Sequence, residues 1–212
     1  MTNYAEKVAQ GLLDIQAVTL SPDQPFTWAS GLHSPIYTDN RLTISYPEVR
    51  TNICQGMVEL IKDNYPDAEV IAGTATAGIP HATWVAQEMG LPFIYVRSKP
   101  KDHGQGKQVE GVLKEGQKVV VIDDLLSTGG SVLKAAQAVN WEGGQVLGVV
   151  AVFSYQLPAL DQNFAEDGLS YQTVTNYTTL ITQAEQKQLI NQAQLASLHQ
   201  WREDPQAWSD QH

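Results

Sequence analysis

Two adjacent carboxylates, Asp123 and Asp124, close an unbroken β-branched run at 119–122 and stand just ahead of Ser127, Thr128, Gly129, Gly130 and Ser131. Those hydroxyls and glycines open a helical pattern over 132–139. A helix N-terminus carries unpaired backbone N–H groups and partial positive charge, which suits a phosphate. Glycines let the backbone approach such a ligand closely, and hydroxyls add donors. Neighbouring carboxylates on an extended chain point opposite ways, so the pair cannot grip one ligand atom symmetrically. It can accept hydrogen bonds from two adjacent hydroxyls of a ribose beside the phosphate. The residues also leave a plainer reading open, with one carboxylate capping the turn and the other solvated.

Two further stretches carry related chemistry. Residues 73–80, GTATAGIP, nearly match a P-loop, but Ile79 and Pro80 occupy the places of its lysine and hydroxyl. A triphosphatase is thereby disfavoured. The backbone of Thr74, Ala75, Thr76, Ala77 and Gly78 can still bind a diphosphate; a tight strand-to-helix turn with packing glycines is the alternative. Residues 95–106, YVRSKPKDHGQG, gather Arg97, Lys99, Lys101 and His103 against Asp102 alone. Such a stretch predicts a mobile surface loop, either merely solvated or able to close over an anion and exclude water. Apolar text resumes at 109–113, as though the loop were an excursion between paired strands.

These loops need a scaffold that brings them together. Strand-like runs at 68–72, 93–96, 118–122 and 146–153 alternate with helical patterns at 79–89 and 130–139. That alternation predicts an α/β fold with a mostly parallel, doubly wound sheet, whose ligands bind beyond the carboxyl ends of the strands. Ahead of it, residues 4–15 read as an amphipathic helix. Residues 21–40 read as an irregular, aromatic stretch of the kind that is functional or forms a packed lid. Pro47 opens a helix to about residue 64. Beyond residue 153 only a strand at 172–176 and a helix at 189–201, ended by Asp204-Pro205, stand out.

With 212 residues, 42% of them hydrophobic, the chain is expected to form one domain with at most a small appendage. A polar start and the lack of a long apolar run predict a soluble, cytoplasmic protein with no membrane partner. Cys54, alone of its kind, excludes an internal disulfide and reads as a small buried hydrophobe. The formal charge of −10 argues against nucleic-acid binding. The basic island at 97–107 points instead to a local anionic ligand.

Together these stretches resemble the type I phosphoribosyltransferases, and among them the orotate phosphoribosyltransferases. Residues 119–131, VVVIDDLLSTGGS, are similar to that family's site for phosphoribosyl pyrophosphate (PRPP). Residues 97–104, RSKPKDHG, resemble its mobile loop, and residues 26–41, FTWASGLHSPIYTDNR, the N-terminal hood that covers the base; GTATAGIP is similar to its diphosphate loop. The resemblance implies a type I phosphoribosyltransferase fold in a single domain, with a hood mainly from about 1–45 plus C-terminal contributions and a core of about 46–176. It implies transfer of the 5-phosphoribosyl group from PRPP to orotate, giving orotidine 5'-phosphate and diphosphate in pyrimidine (UMP) biosynthesis.

Residue by residue, the resemblance gives Asp123 and Asp124 the ribose 2- and 3-hydroxyls, directly or through magnesium. Leu125, Leu126, Ser127, Thr128, Gly129, Gly130 and Ser131 complete the PRPP site, with Ser127 also near orotate. Arg97, Lys101 and His103 contact the diphosphate, and Lys101 acts catalytically with the two aspartates. The metal that the resemblance implies is Mg2+ carried by PRPP, with no direct protein ligand assigned and Asp123 or Asp124 as the candidates. A homodimer is implied, its 97–107 loop serving the neighbouring subunit. The chain departs from some members at Ala29 and Ser98, where they carry lysine, and at Ser154-Tyr155-Gln156, where they carry arginine. His33 and Arg41 are the available substitutes toward the orotate carboxylate. The −10 charge and the intact basic loop argue against a PRPP-binding regulator without chemistry, and a transferase for a purine or uracil base would share mainly the PRPP stretch, not the hood and the 97–103 loop.

Overall fold

The computed structural model of the protein describes residues 3–28, 30–99 and 107–212. The N-terminal part forms α1 (Tyr4–Asp14) and four short strands, β1 (Val18–Leu20), β2 (Phe26–Thr27), β3 (His33–Ser34) and β4 (Ile36–Thr38). A 3-10 turn (Asn40–Ser45) leads into α2 (Pro47–Asn64), which Pro47 opens at its first position. Strand β1 pairs antiparallel with β4, and β2 with β3 across a turn where Gly31 takes a left-handed φ of 87°.

The rest alternates strand and helix. It runs β5 (Val70–Thr74), α3 (Gly78–Met89), β6 (Phe93–Val96), β7 (Val109–Glu110), β8 (Lys118–Leu126), α4 (Gly130–Trp141), β9 (Gln145–Ser154), α5 (Pro158–Asp167) and β10 (Tyr171–Asn176). Helices α6 (Tyr177–Gln186), α7 (Gln192–Glu203) and α8 (Pro205–Ser209) follow. Six strands form one sheet in the order β10-β9-β8-β5-β6-β7, all parallel except β7, which runs back along β6. The expected α/β sheet is thus present, and the text resuming at Val109 does pair with the strand before the basic loop.

Each strand of the sheet's middle is buried on both faces, which is why its sequence shows apolar runs without polar alternation. Val120, Ile122, Val150 and Val152 face a core shared with α1, α2, α3 and the C-terminal helices. Val119, Val121, Val149 and Ala151 face a second core, closed by α4 and α5. Cys54 is buried in the first, and burial pushes its thiol up to about 11.

Several elements differ from the sequence expectation. Strand β8 does not stop at Ile122 but runs to Leu126, because β9 continues the ladder through Asp123↔Ala151, Leu125↔Phe153 and Leu126↔Ser154. Helices α5 and α6 lie where no periodic signal stood out. The last long helix starts at Gln192 rather than residue 189, set by a capping box between Asn191 and Gln194.

The C-terminal helices return to the N-terminal strands. Trp201 of α7 is fully buried among Trp28, Tyr155 and Tyr177, its ring centroids 5.4–5.8 Å from theirs. The His33 N–H donates to Ser209 Oγ at 2.8 Å. Loss of that indole by Trp201→Ala would cost roughly 3–5 kcal/mol. No described helix is long and apolar enough to cross a membrane.

Candidate active site

The sheet reverses its winding between β5 and β8. From β5 the chain goes outward to β6 and β7, then returns to lay β8, β9 and β10 on the other side. Loops leaving the carboxyl ends of β5 and β8 therefore diverge, and the crevice between them is where open parallel sheets bind ligands. Thr74 ends β5 beside the acidic pair of β8. Its Oγ1 donates to the Asp123 carboxylate at 2.6 Å, and the Asp124 N–H donates to the same carboxylate at 2.9 Å.

The two carboxyls do not point apart as alternation along an extended strand predicts: the Asp124 side chain lies within hydrogen-bonding reach of the Asp123 carboxylate. The buried Asn40 donates from Nδ2 to the Asp124 main-chain oxygen at 2.6 Å, tying the 3-10 turn to β8. Burial, and then repulsion from Asp123, push the Asp124 carboxyl up to about 7, against a smaller pull from the Arg41 guanidinium. Burial also raises Asp123, while the Thr74 hydroxyl and the Asp124 N–H work the other way. Two half-buried carboxyls in contact thus hold a proton near neutral pH.

Two glycine turns face this pair. Gly129 has φ 80° and precedes α4, whose N-terminus no side chain caps, leaving its first N–H groups for a ligand. A Cβ on Gly129 would lie 2.7 Å from the Phe164 ring. Ser127 is half-buried, while Thr128, Gly130 and Ser131 are exposed. Leu125 is half-buried and Leu126 is buried, its carbonyl accepting from the Tyr155 N–H at 3.1 Å, so these two fix the strand end that carries the turn. The other turn, Thr74 to Gly78, contains a cis Ala75–Thr76 bond and opens α3, again without a side-chain cap. A Cβ on Gly78 would lie 2.5 Å from the Ile122 oxygen. This turn presses directly on β8 beneath the aspartates, and only glycine permits the approach.

Arg97 leaves the end of β6, its N–H bonded to the Gln108 oxygen at 2.9 Å and its guanidinium 3.9 Å from Glu110. Lys101 and His103 lie outside the described residues, as does Ala29. A cavity of about 330 Å³ is lined by Thr74, Ala75, Arg97, Ser98, Ser131 and Lys134, among others. The 74–78 turn, the root of the basic loop and the start of α4 therefore share one hollow. A larger groove, about 640 Å³ between α1 and α2, shares no residue with this crevice, so size alone does not mark the site.

On the hood side, Arg41 makes two hydrogen bonds to Asp39, at 2.6 and 2.8 Å, which hold that carboxyl below its usual range. Gln156 takes a left-handed φ of 55°, and its Oε1 accepts from the Thr178 N–H at 3.0 Å and hydroxyl at 2.6 Å. Arg202 donates to that hydroxyl at 3.0 Å. Sequence reasoning did not single out Asn40, Lys134 or Arg202. Asn40 reaches a partner 84 residues away, and no local pattern signals such a contact.

The chain matches the phosphoribosyl transferase domain over residues 48–181, a span that holds the whole crevice apart from the N-terminal strands and the 3-10 turn. Fold and crevice together define a phosphoribosyltransferase. Over 208 residues the chain is 60% identical to an orotate phosphoribosyltransferase of Lactiplantibacillus plantarum, covering 98% of both chains. The orotate phosphoribosyltransferase of Aeropyrum pernix superposes with a TM-score of 0.73 at 26% identity, covering 87% of this chain and 99% of that one. The Mycobacterium tuberculosis enzyme, solved in complex with PRPP, gives 0.66 at 27% identity, covering 84% and 98%. The chain belongs to the orotate phosphoribosyltransferase family, as its motifs led one to expect.

Proposed function

We propose that this protein transfers the 5-phosphoribosyl group of PRPP to orotate, releasing diphosphate, and that the β5–β8 crevice is where it does so. The observation that carries the reading is the acidic pair facing two uncapped glycine turns at the point where the sheet reverses. Residues 127–131 would hold the 5-phosphate through the N-terminal N–H groups of α4. Asp123 and Asp124 would accept from the ribose hydroxyls. The turn at 74–78 would take the diphosphate, with Arg97 beside it and Lys101 and His103 brought from the 97–107 loop. Orotate would sit near Ser127 under the N-terminal strands. A homodimer sharing that loop between subunits is part of the proposal.

Breaking the anomeric C–O bond leaves positive charge on the ribose and negative charge on the departing diphosphate. The protein's work is to hold the orotate ring nitrogen in line with that carbon and to stabilise the charge that leaves. An anionic ring nitrogen needs no side-chain nucleophile. Among the described residues no cluster of three or more acidic, histidine or cysteine side chains could cage a metal. Asp123 and Asp124 fit a magnesium ion that arrives on the substrate and takes one or two protein oxygens. Bound there, it would supply Lewis-acid neutralisation of the diphosphate.

The test is a panel of bases with PRPP and magnesium, following diphosphate release. Release with orotate and not with uracil, hypoxanthine or adenine is expected. Turnover of another base in preference to orotate would overturn the reading.

A further inference from the structure

We infer that Lys134, on the first turns of α4, is a diphosphate-binding residue that supplies the cation the 74–78 turn lacks. The inference rests on the function proposed above and deepens it. A diphosphate leaving group carries several negative charges, and GTATAG has no charged side chain to meet them. Backbone N–H groups alone leave that charge under-compensated.

Lys134 is placed to meet it. Ser131, Lys134 and Ala135 are spaced i, i+3, i+4 and share the face of α4 that lines the 330 Å³ cavity, opposite Thr74 and Ala75. Val132, Leu133, Ala136 and Val139 of the same helix are buried in the core, so this face cannot rotate away. Side chains on a helix lean toward its N-terminus. The ammonium is therefore carried back toward Gly130 and the carboxyl edge of the sheet, where the proposed site lies. Arg97 enters the same cavity from the end of β6, so two cations flank one hollow whose wall is the diphosphate turn.

The electrostatics of α4 point the same way. No described carboxylate forms an ion pair with Lys134, although the chain carries 23 acidic residues against 13 lysines and arginines. An exposed lysine that faces a hydroxyl-lined cavity in an acidic protein, with no carboxylate partner among the described residues, has an anionic ligand as its natural partner.

The test compares the full-length wild type with Lys134→Ala, Lys134→Glu and Lys134→Arg, taking Lys62→Ala as a charge control on an exposed turn of α2. Titration with diphosphate in magnesium chloride should show affinity falling about tenfold in the alanine variant, as for one charge-assisted contact. The loss should be larger in the glutamate variant and mostly recovered by arginine. The KM for PRPP should rise in step, while orotate affinity and the melting temperature stay at wild-type values. Wild-type diphosphate affinity in both Lys134→Ala and Lys134→Glu, in an enzyme whose wild type turns over orotate, would overturn the inference and leave the function standing. A wild type that releases no diphosphate from PRPP and orotate would instead overturn the function itself.

Discussion

Asp124 is the residue whose charge state does most in the crevice. Its folded carboxyl titrates near 7, above the ordinary value near 4, so the folded protein binds the extra proton. The associated stability is fully present below about pH 4 and is lost as pH rises through about 7. Asp124→Asn should therefore raise the melting temperature of the ligand-free protein at pH 8 by several degrees, at about 2–4 °C per kcal/mol, and change it little at pH 4.5. Calorimetry across that range checks this; a shift of equal size at both pH values would count against it. The same variant should lose PRPP affinity and keep orotate affinity in titrations. Thr74→Val removes the hydroxyl that donates to Asp123 while keeping the volume. It should raise the KM for PRPP about fivefold, the worth of one net hydrogen bond. Thr74→Ser should restore it, and a valine variant with unchanged KM would remove Thr74 from the site.

At the scale of elements, β8 shows what hydropathy can and cannot reveal. Its apolar run made the strand legible, and the glycine turn made the start of α4 legible. Its last four residues were not, because they are strand only by virtue of the ladder with β9, and pairing leaves no mark on one strand's own sequence. Helices α5 and α6 escaped notice because few apolar positions stand out within them. Their buried residues, such as Leu160 and Phe164 or Leu180 and Ile181, declare a face only once the sheet is in place. The acidic pair and both glycine turns could be read from residue types alone. Their supports, Asn40 on Asp124 and the Thr74 hydroxyl on Asp123, join elements distant in the chain and could not. Gly78 tests the contact between elements most sharply. Gly78→Ala places a methyl against the Ile122 carbonyl, so α3 and β8 must separate. A loss of about 2–4 kcal/mol in chemical denaturation is expected, with PRPP turnover falling further than stability. An alanine variant as stable and active as wild type would show that the approach of the two elements is not required.

For the molecule as a whole, the proposed sharing of the 97–107 loop makes a prediction that no single chain can meet. Lys101→Ala and Asp124→Asn should each be nearly inactive alone. Mixed after co-expression, they should recover about a quarter of wild-type turnover, since about half the dimers are mixed and each has one intact site. Mixtures as inactive as their components would place the loop's function within its own subunit.

The packing of Trp201 and Ser209 onto Trp28 and His33 also bears on how the molecule comes into being. The parallel sheet needs only the chain up to Asn176, whereas the N-terminal strands find their partners in α7 and α8. At a synthesis rate of about 5–20 residues per second, Trp28 waits on the order of ten to thirty seconds for Trp201 to be made. A nascent chain would thus carry a formed phosphate crevice beside an unfinished aromatic cluster, with Trp28 and Tyr155 open to water. The young protein should be most exposed to chaperones and proteases along its first forty residues, and that exposure should end abruptly when α7 emerges.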